Sequence, residues 1–112
     1  MIDDLELKEL EQFIGTEAYY NVMSVNVTDG VAYIMNNGYS WFVTDAIDVI
    51  ITKLKDEEFL SINLKLDGDK ADMLITDGNE KELYSQHYEW TNIKRNIKLF
   101  YTNKVLMLTG EY

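Results

Sequence analysis

The chain contains no cysteine and no proline, and it has a single histidine, His87, in 112 residues. The missing cysteine excludes a disulfide framework, a thiolate nucleophile and a cysteine-based zinc site, and it suits a reducing compartment. Long apolar runs are missing too. Stretches such as Val49-Ile50-Ile51 fall far short of the roughly 20 residues a membrane span needs. The opening Met1-Ile2-Asp3-Asp4 has neither the basic start nor the apolar core of a secretion signal. The expectation is a cytosolic protein with no membrane contact. Nothing in the sequence interrupts one domain over 1–112: there is no repeat, no low-complexity run and no linker.

What the chain does have is acid. Twenty acidic residues against ten basic ones give a formal charge of −10. The excess is uneven. Through Leu60 there are twelve acidic and three basic residues, a net −9; beyond it there are eight and seven, a net −1. Such a surface repels free nucleic acid and anionic lipid. It is drawn to basic surfaces, including the grooves of nucleic-acid-binding proteins.

The hydrophobic periodicity changes along the chain. Leu7, Leu10, Phe13 and Ile14 recur at helical spacing over residues 3 to 14, with Asp3, Asp4 and Glu6 in the first turn and Gly15 as the stop. Thr16 then reads as the cap of a second short helix carrying Tyr19, Tyr20 and Met23. Residues 24 to 28 alternate as a short strand or loop, Asp29-Gly30 signals a turn, and Val31 to Met35 is a helical turn or strand ended by Asn36-Asn37-Gly38. The strongest helix runs from Ser40 to Leu54, with Phe42, Ala46, Val49 and Ile50 on one face.

From Leu60 the period becomes two. Leu60, Ile62, Leu64 and Leu66 alternate with polar residues; Ala71, Met73 and Ile75 follow across Asp67-Gly68-Asp69; Tyr84, Tyr88 and Trp90 follow Asp77-Gly78-Asn79. Residues 98 to 101 and 104 to 109 make two more strands across Thr102-Asn103. The predicted fold is α+β, with two or three N-terminal helices packed on a C-terminal antiparallel sheet of four or five strands.

The search for chemistry is mostly negative. There is no phosphate loop, no paired-histidine motif and no nucleophile elbow. His87 has Glu89 two residues on, but alternation sets it on the face opposite Tyr84, Tyr88 and Trp90, which points it to solvent. Asp67, Asp69 and Asp72, and likewise Asp77, Asn79, Glu80 and Glu82, are oxygen-rich turns; their spacing departs from a calcium loop and matches ordinary hairpin chemistry. No enzyme, cofactor or metal is expected.

Several segments together resemble a known family. They are Leu10-Glu11-Gln12-Phe13-Ile14-Gly15-Thr16-Glu17-Ala18-Tyr19-Tyr20, then Thr28-Asp29-Gly30-Val31-Ala32-Tyr33, then Gly38-Tyr39-Ser40-Trp41-Phe42-Val43-Thr44-Asp45-Ala46-Ile47, then Thr76-Asp77-Gly78-Asn79, and finally the end from Val105 to Gly110-Glu111-Tyr112. In this order they resemble a family of small uncharacterised proteins of bacteria, phages and plasmids, over nearly the whole chain. Two departures stand out: residues 21 to 27 lack a basic, Trp-containing stretch, and residues 72 to 76 lack a Cys. The resemblance implies no catalytic residue. It implies a context of mobile-element accessory genes, where small acidic proteins often inhibit host defence, anti-CRISPR proteins among them.

The leading expectation is therefore an acidic interaction protein. It docks on a basic, nucleic-acid-binding surface of a host protein, such as a CRISPR-Cas or other defence component, without touching nucleic acid itself. The carboxylates of Asp45, Asp48, Asp56, Glu57 and Glu58, joined by those of Asp3, Asp4, Glu6, Glu9 and Glu11, supply the electrostatic face, and Tyr39 and Trp41 the aromatic anchors. The alternative is a module that binds a nucleotide-like ligand with Lys94, Arg95 and Lys98, or a weak hydrolase using His87. A third option is a homodimer joined through the strand at 104 to 109 as an exposed edge.

Overall fold

The computed structural model describes residues 15–112. The helix expected over residues 3 to 14, with its five carboxylates, lies outside the described residues. Within them the expected architecture is corrected. In place of two or three N-terminal helices on a four- or five-stranded antiparallel sheet, there is one helical segment over residues 29–53 on a mixed sheet of seven strands.

The strands are β1 (Tyr19–Val22), β2 (Val25–Thr28), β3 (Phe59–Asp67), β4 (Lys70–Thr76), β5 (Glu82–Tyr88), β6 (Ile97–Thr102) and β7 (Val105–Leu108). Their order across the sheet is β1-β2-β7-β6-β3-β4-β5. All neighbours are antiparallel except β2 and β7, which pair parallel at Asn26↔Val105 and Val27↔Leu106. The C-terminal strands follow the alternation and turn residues of the sequence. The β6–β7 hairpin turns through Asn103 and Lys104, both at positive φ (53° and 62°), which is the backbone that matches the twist of a two-residue hairpin.

The difference lies at residues 16 to 23. Spacing of Tyr19, Tyr20 and Met23 reads as a helix, but the chain forms the β1–β2 hairpin instead. Met23 and Ser24 take positive φ (53° and 74°) at its tip, and Val25 and Val27 are buried. Tyrosines and β-branched residues suit a pleated surface. Thr16 does not cap a helix there; its hydroxyl donates to the Ala18 carbonyl (2.6 Å) and accepts from the Asp29 N–H (2.9 Å).

Asp29-Gly30, expected as a turn, opens helix α1 (Asp29–Ile34), capped by the Thr28 hydroxyl, which accepts from the Val31 N–H (3.3 Å). The helix is interrupted at Asn37 (φ −117°, ψ 29°) and Gly38 (φ 96°), where only glycine is comfortable. The Asn37 amide donates to the Tyr33 carbonyl (2.8 Å), satisfying a group the break leaves open. The chain then resumes as α2 (Ser40–Lys53).

The helical segment packs on one sheet face. Val31, Ile34, Phe42, Val43, Ala46, Ile47, Val49 and Ile50 meet the inward positions of β3, β4 and β6 in a single core cluster. The strand expected to serve as an exposed edge, β7, is enclosed between β2 and β6, so both of its sides are paired; the edges are β1 and β5. The opposite face carries an aromatic group of Phe59, Phe100 and Tyr112, with ring centroids 5.2 to 5.7 Å apart.

Candidate functional site

Among the described residues, a recess lies at each end of α2. A helix rises about 1.5 Å per residue, so the two lie about 20 Å apart.

The first is a small notch of about 240 Å³ lined by Trp41, Tyr88, Trp90, Thr91 and Asn92. Trp41 comes from the first turn of α2, and Tyr88 ends β5. Their rings meet edge to face, centroids 4.8 Å apart at 72°. Asp45 stands one helical turn after Trp41, on the same helix face. Its Oδ2 accepts from the Tyr88 hydroxyl (2.9 Å). Burial, together with that hydrogen bond to a carboxylate and its charge, raises the Tyr88 hydroxyl well above the ordinary tyrosine range. Trp90, just past the strand, is 68% exposed. The loop behind it is pinned: the Thr91 N–H donates to the Asp69 carbonyl (2.6 Å), and the Ile93 N–H donates to the Thr91 hydroxyl (3.3 Å).

The second is a cleft of about 650 Å³ between the β1–β2 turn, the end of α2 and the β6–β7 turn. Its walls include Ile50, Tyr101, Lys55, Lys104 and the carboxylate run Asp56-Glu57-Glu58. It sits at the C-terminal end of α2, so helix dipole and carboxylates there share a sign. The chain beyond the helix is held by Glu57 N–H to the Leu54 carbonyl (3.1 Å) and by the Thr102 hydroxyl to the Glu58 carbonyl (3.0 Å).

The expected binding residues thus divide. Trp41 lines the notch and Asp45 stands beside it, holding the Tyr88 hydroxyl; Asp48 is exposed farther along the same helix face; Asp56, Glu57 and Glu58 line the cleft. Tyr39 is fully buried, and its hydroxyl donates to the Arg95 carbonyl (3.1 Å), so its ring belongs to the core. Tyr88 and Trp90 also line the notch, though the sequence does not single them out. The available signal was aromatic residues running past a strand end into polar Thr91-Asn92, but nothing local shows that Trp41 lies beside them.

The remaining candidates lie elsewhere. His87 is exposed on the edge strand β5, cross-strand from Asp72, with Nδ1 2.8 Å from the Asp72 carboxylate and Nε2 3.3 Å from Glu89. Hydrogen bonding to Asp72, aided by the charges of Asp72 and Glu89, raises it above the ordinary histidine value. Lys98 Nζ rests 5.6 Å from the Phe100 ring centroid, and none of Lys94, Arg95 and Lys98 lines either recess. The Asp77 carboxylate is used within its own turn, accepting from the Asn79 and Lys81 N–H groups (2.8 and 3.2 Å). Among the described residues, no group of three or more acidic, histidine or cysteine side chains is placed to hold a metal ion.

Parts of three segments that carry the family resemblance, within residues 16–20, 28–31 and 108–111, meet at a third place. Glu111 Oε1 accepts from the Thr28 hydroxyl (2.5 Å) and the Leu108 N–H (2.9 Å), and Oε2 accepts from the Gly30 N–H (3.1 Å). Gly30 is required by this approach, because a Cβ there would stand 2.5 Å from Leu108 Cδ1 and 2.6 Å from Glu111 Oε1. Asp29 in turn accepts from the Glu17 N–H (2.9 Å) and the Tyr20 hydroxyl (3.1 Å). Gly78, at φ 87°, lies under the Phe59 ring that Tyr112 touches. The carboxylates of Glu111 and Asp29 already hold partners within the chain, so this convergence fastens the fold.

Fold and surface define a single-sheet α+β protein whose exposed helix joins an aromatic notch to an acidic cleft. The chain belongs to the family of unknown function DUF6876, whose model matches residues 4–112. No curated protein and no solved structure matches it. Among the described residues no helix is long and apolar enough to cross a membrane.

Proposed function

We propose that the protein is a non-catalytic interaction protein whose α2 side docks on a basic surface of another protein. The observation that carries this reading is the alignment of Trp41, Asp45 and Asp48 along one face of α2, continued by Asp56, Glu57 and Glu58 beyond its end. Carboxylates so spread steer a basic partner from a distance, and aromatic anchors supply the short-range affinity. The finer reading is a cytosolic protein of a phage or mobile element. Its partner is then the nucleic-acid-binding surface of a host defence nucleoprotein, an anti-CRISPR-like mode of inhibition. The net charge of −10 supports a partner that ordinarily holds nucleic acid.

The test is capture of host proteins on the tagged chain from nuclease-treated lysate, with parallel capture on a variant carrying Asp56→Lys, Glu57→Lys and Glu58→Lys. A basic nucleoprotein component retained at low salt, released at high salt, displaced by added nucleic acid and lost on the variant is the expected outcome. Capture that ignores both salt and charge reversal overturns the electrostatic docking.

A further inference from the structure

Both tryptophans of the chain, Trp41 and Trp90, line the same notch. At about 240 Å³ it is smaller than the small-molecule range and comparable to one long side chain. Edge-to-face contact between Trp41 and Tyr88 turns their π faces in nearly perpendicular directions, which makes a corner. The faces of aromatic rings carry negative potential, and tryptophan has the strongest attraction for a cation. Acceptance of the Tyr88 hydroxyl proton by Asp45 adds a carboxylate beside the corner, and none of the lining residues is basic. Trp90 leaves a large indole in water, where burial by a partner is favourable. The floor is held in place by Thr91 on the Asp69 carbonyl, so little ordering remains to be done on binding.

We propose that the Trp41–Tyr88–Trp90 notch receives the guanidinium of an arginine side chain projecting from a protein partner. The source of that arginine rests on the basic-partner reading above; the chemistry of the notch does not. Guanidinium is planar and weakly hydrated, and it stacks on an aromatic face while its edge N–H groups reach a carboxylate. An aliphatic side chain would gain nothing from Asp45. A nucleotide base could stack, but its phosphate meets the like charge of Asp45 and Asp48.

The two indole N–H resonances report on the notch alone, because the chain has no other tryptophan. The full chain is titrated with N-acetyl-arginine amide, with the neutral, near-isosteric N-acetyl-citrulline amide, and with adenosine monophosphate. Saturable shifts of both indole signals with the arginine probe, at least tenfold weaker with citrulline, are expected. Trp90→Ala abolishes the response at the Trp41 signal without lowering the melting temperature, since Trp90 is largely exposed; Asp45→Asn weakens it severalfold. Equal responses to arginine and citrulline overturn the proposal. So does the absence of a saturable shift, or tighter binding of the nucleotide. An arginine response without any salt-sensitive protein capture leaves the notch assignment standing and removes the partner reading. Salt-sensitive capture with a silent notch removes the notch assignment alone.

Discussion

The Glu111 clamp and the Trp41 notch are both built from residues far apart in sequence, yet they differ in one respect. At the clamp both oxygens of the carboxylate are engaged within the chain: one carboxylate takes three donors, and Thr28 is only 2% exposed. At the notch the contacts stop short. Asp45 takes a single donor among the hydrogen bonds described, and Trp90 remains 68% exposed. A saturated polar group contributes to stability and has little left to offer a ligand, whereas an unsaturated one beside exposed aromatic surface has capacity for a partner. Substitutions at the first should therefore unfold the protein, and substitutions at the second should leave it folded and alter binding.

The largest effect is expected from Glu111→Ala. It strips the partner from the Thr28 hydroxyl and from the Gly30 and Leu108 N–H groups. A buried donor left unpaired costs roughly 1–3 kcal/mol; water reaches part of this site, so the total destabilisation should be about 3 kcal/mol. Urea unfolding measures it. At temperatures where the variant remains folded, its indole response to arginine should match the parent's. A midpoint close to the parent's would show that the carboxylate is not seated there in solution, and the contrast between the two regions would fail.

A smaller effect separates the halves of the notch. Tyr88→Phe keeps the ring against Trp41 and removes only the hydroxyl that Asp45 accepts. A net hydrogen bond of this kind is worth about 1 kcal/mol, and Asp45 regains water, so the urea midpoint should fall only slightly. The arginine response should survive, since both indoles and the carboxylate remain. Loss of that response would mean that the hydroxyl aligns the carboxylate, making the notch more like the clamp than its exposure suggests.

These two regions also mark what a reader of the sequence could and could not see. The strands from Leu60 onward were legible because alternation and Asx-Gly turns are local signals, and Ser40 to Leu54 was legible because its apolar face repeats at helical spacing. The β1–β2 hairpin was legible only at β2, where Val25 and Val27 alternate. Strand β1 has four residues and is mostly exposed, so no buried stripe announces it; the place of the hairpin is set by pairing of β2 with β7, some eighty residues on. That parallel pairing makes the sheet mixed, and no local pattern encodes it. Of the expected binding residues, the acidic ones lie along α2 and just beyond its end and none is buried, whereas Tyr39 is core, because an aromatic ring beside a glycine break reads the same inside or outside. The notch depends on Trp41 meeting Tyr88 across a tertiary contact.

The smallest effect concerns His87, which shows a third arrangement: partners on both ring nitrogens, but exposed to water. Asp72 lies at Nδ1 and Glu89 at Nε2, so the protonated ring, a donor at both positions, is the favoured form. Its value in the folded chain is raised above the ordinary 6.5, chiefly by the hydrogen bond to Asp72. The sign follows from linkage: the contribution to stability is fully present below the unfolded value and fades as pH rises through the folded one. Solvent screening keeps it small. Because this is the only histidine, its ring protons can be followed through a pH titration without assignment by mutation. A midpoint above 6.5 is expected, moving back toward it in Asp72→Asn. A midpoint at or below 6.5 in the parent would show the cross-strand pair open in solution, and saturation of a polar group would then count as a mark of structure only where water is excluded, as at Thr28 and Glu111.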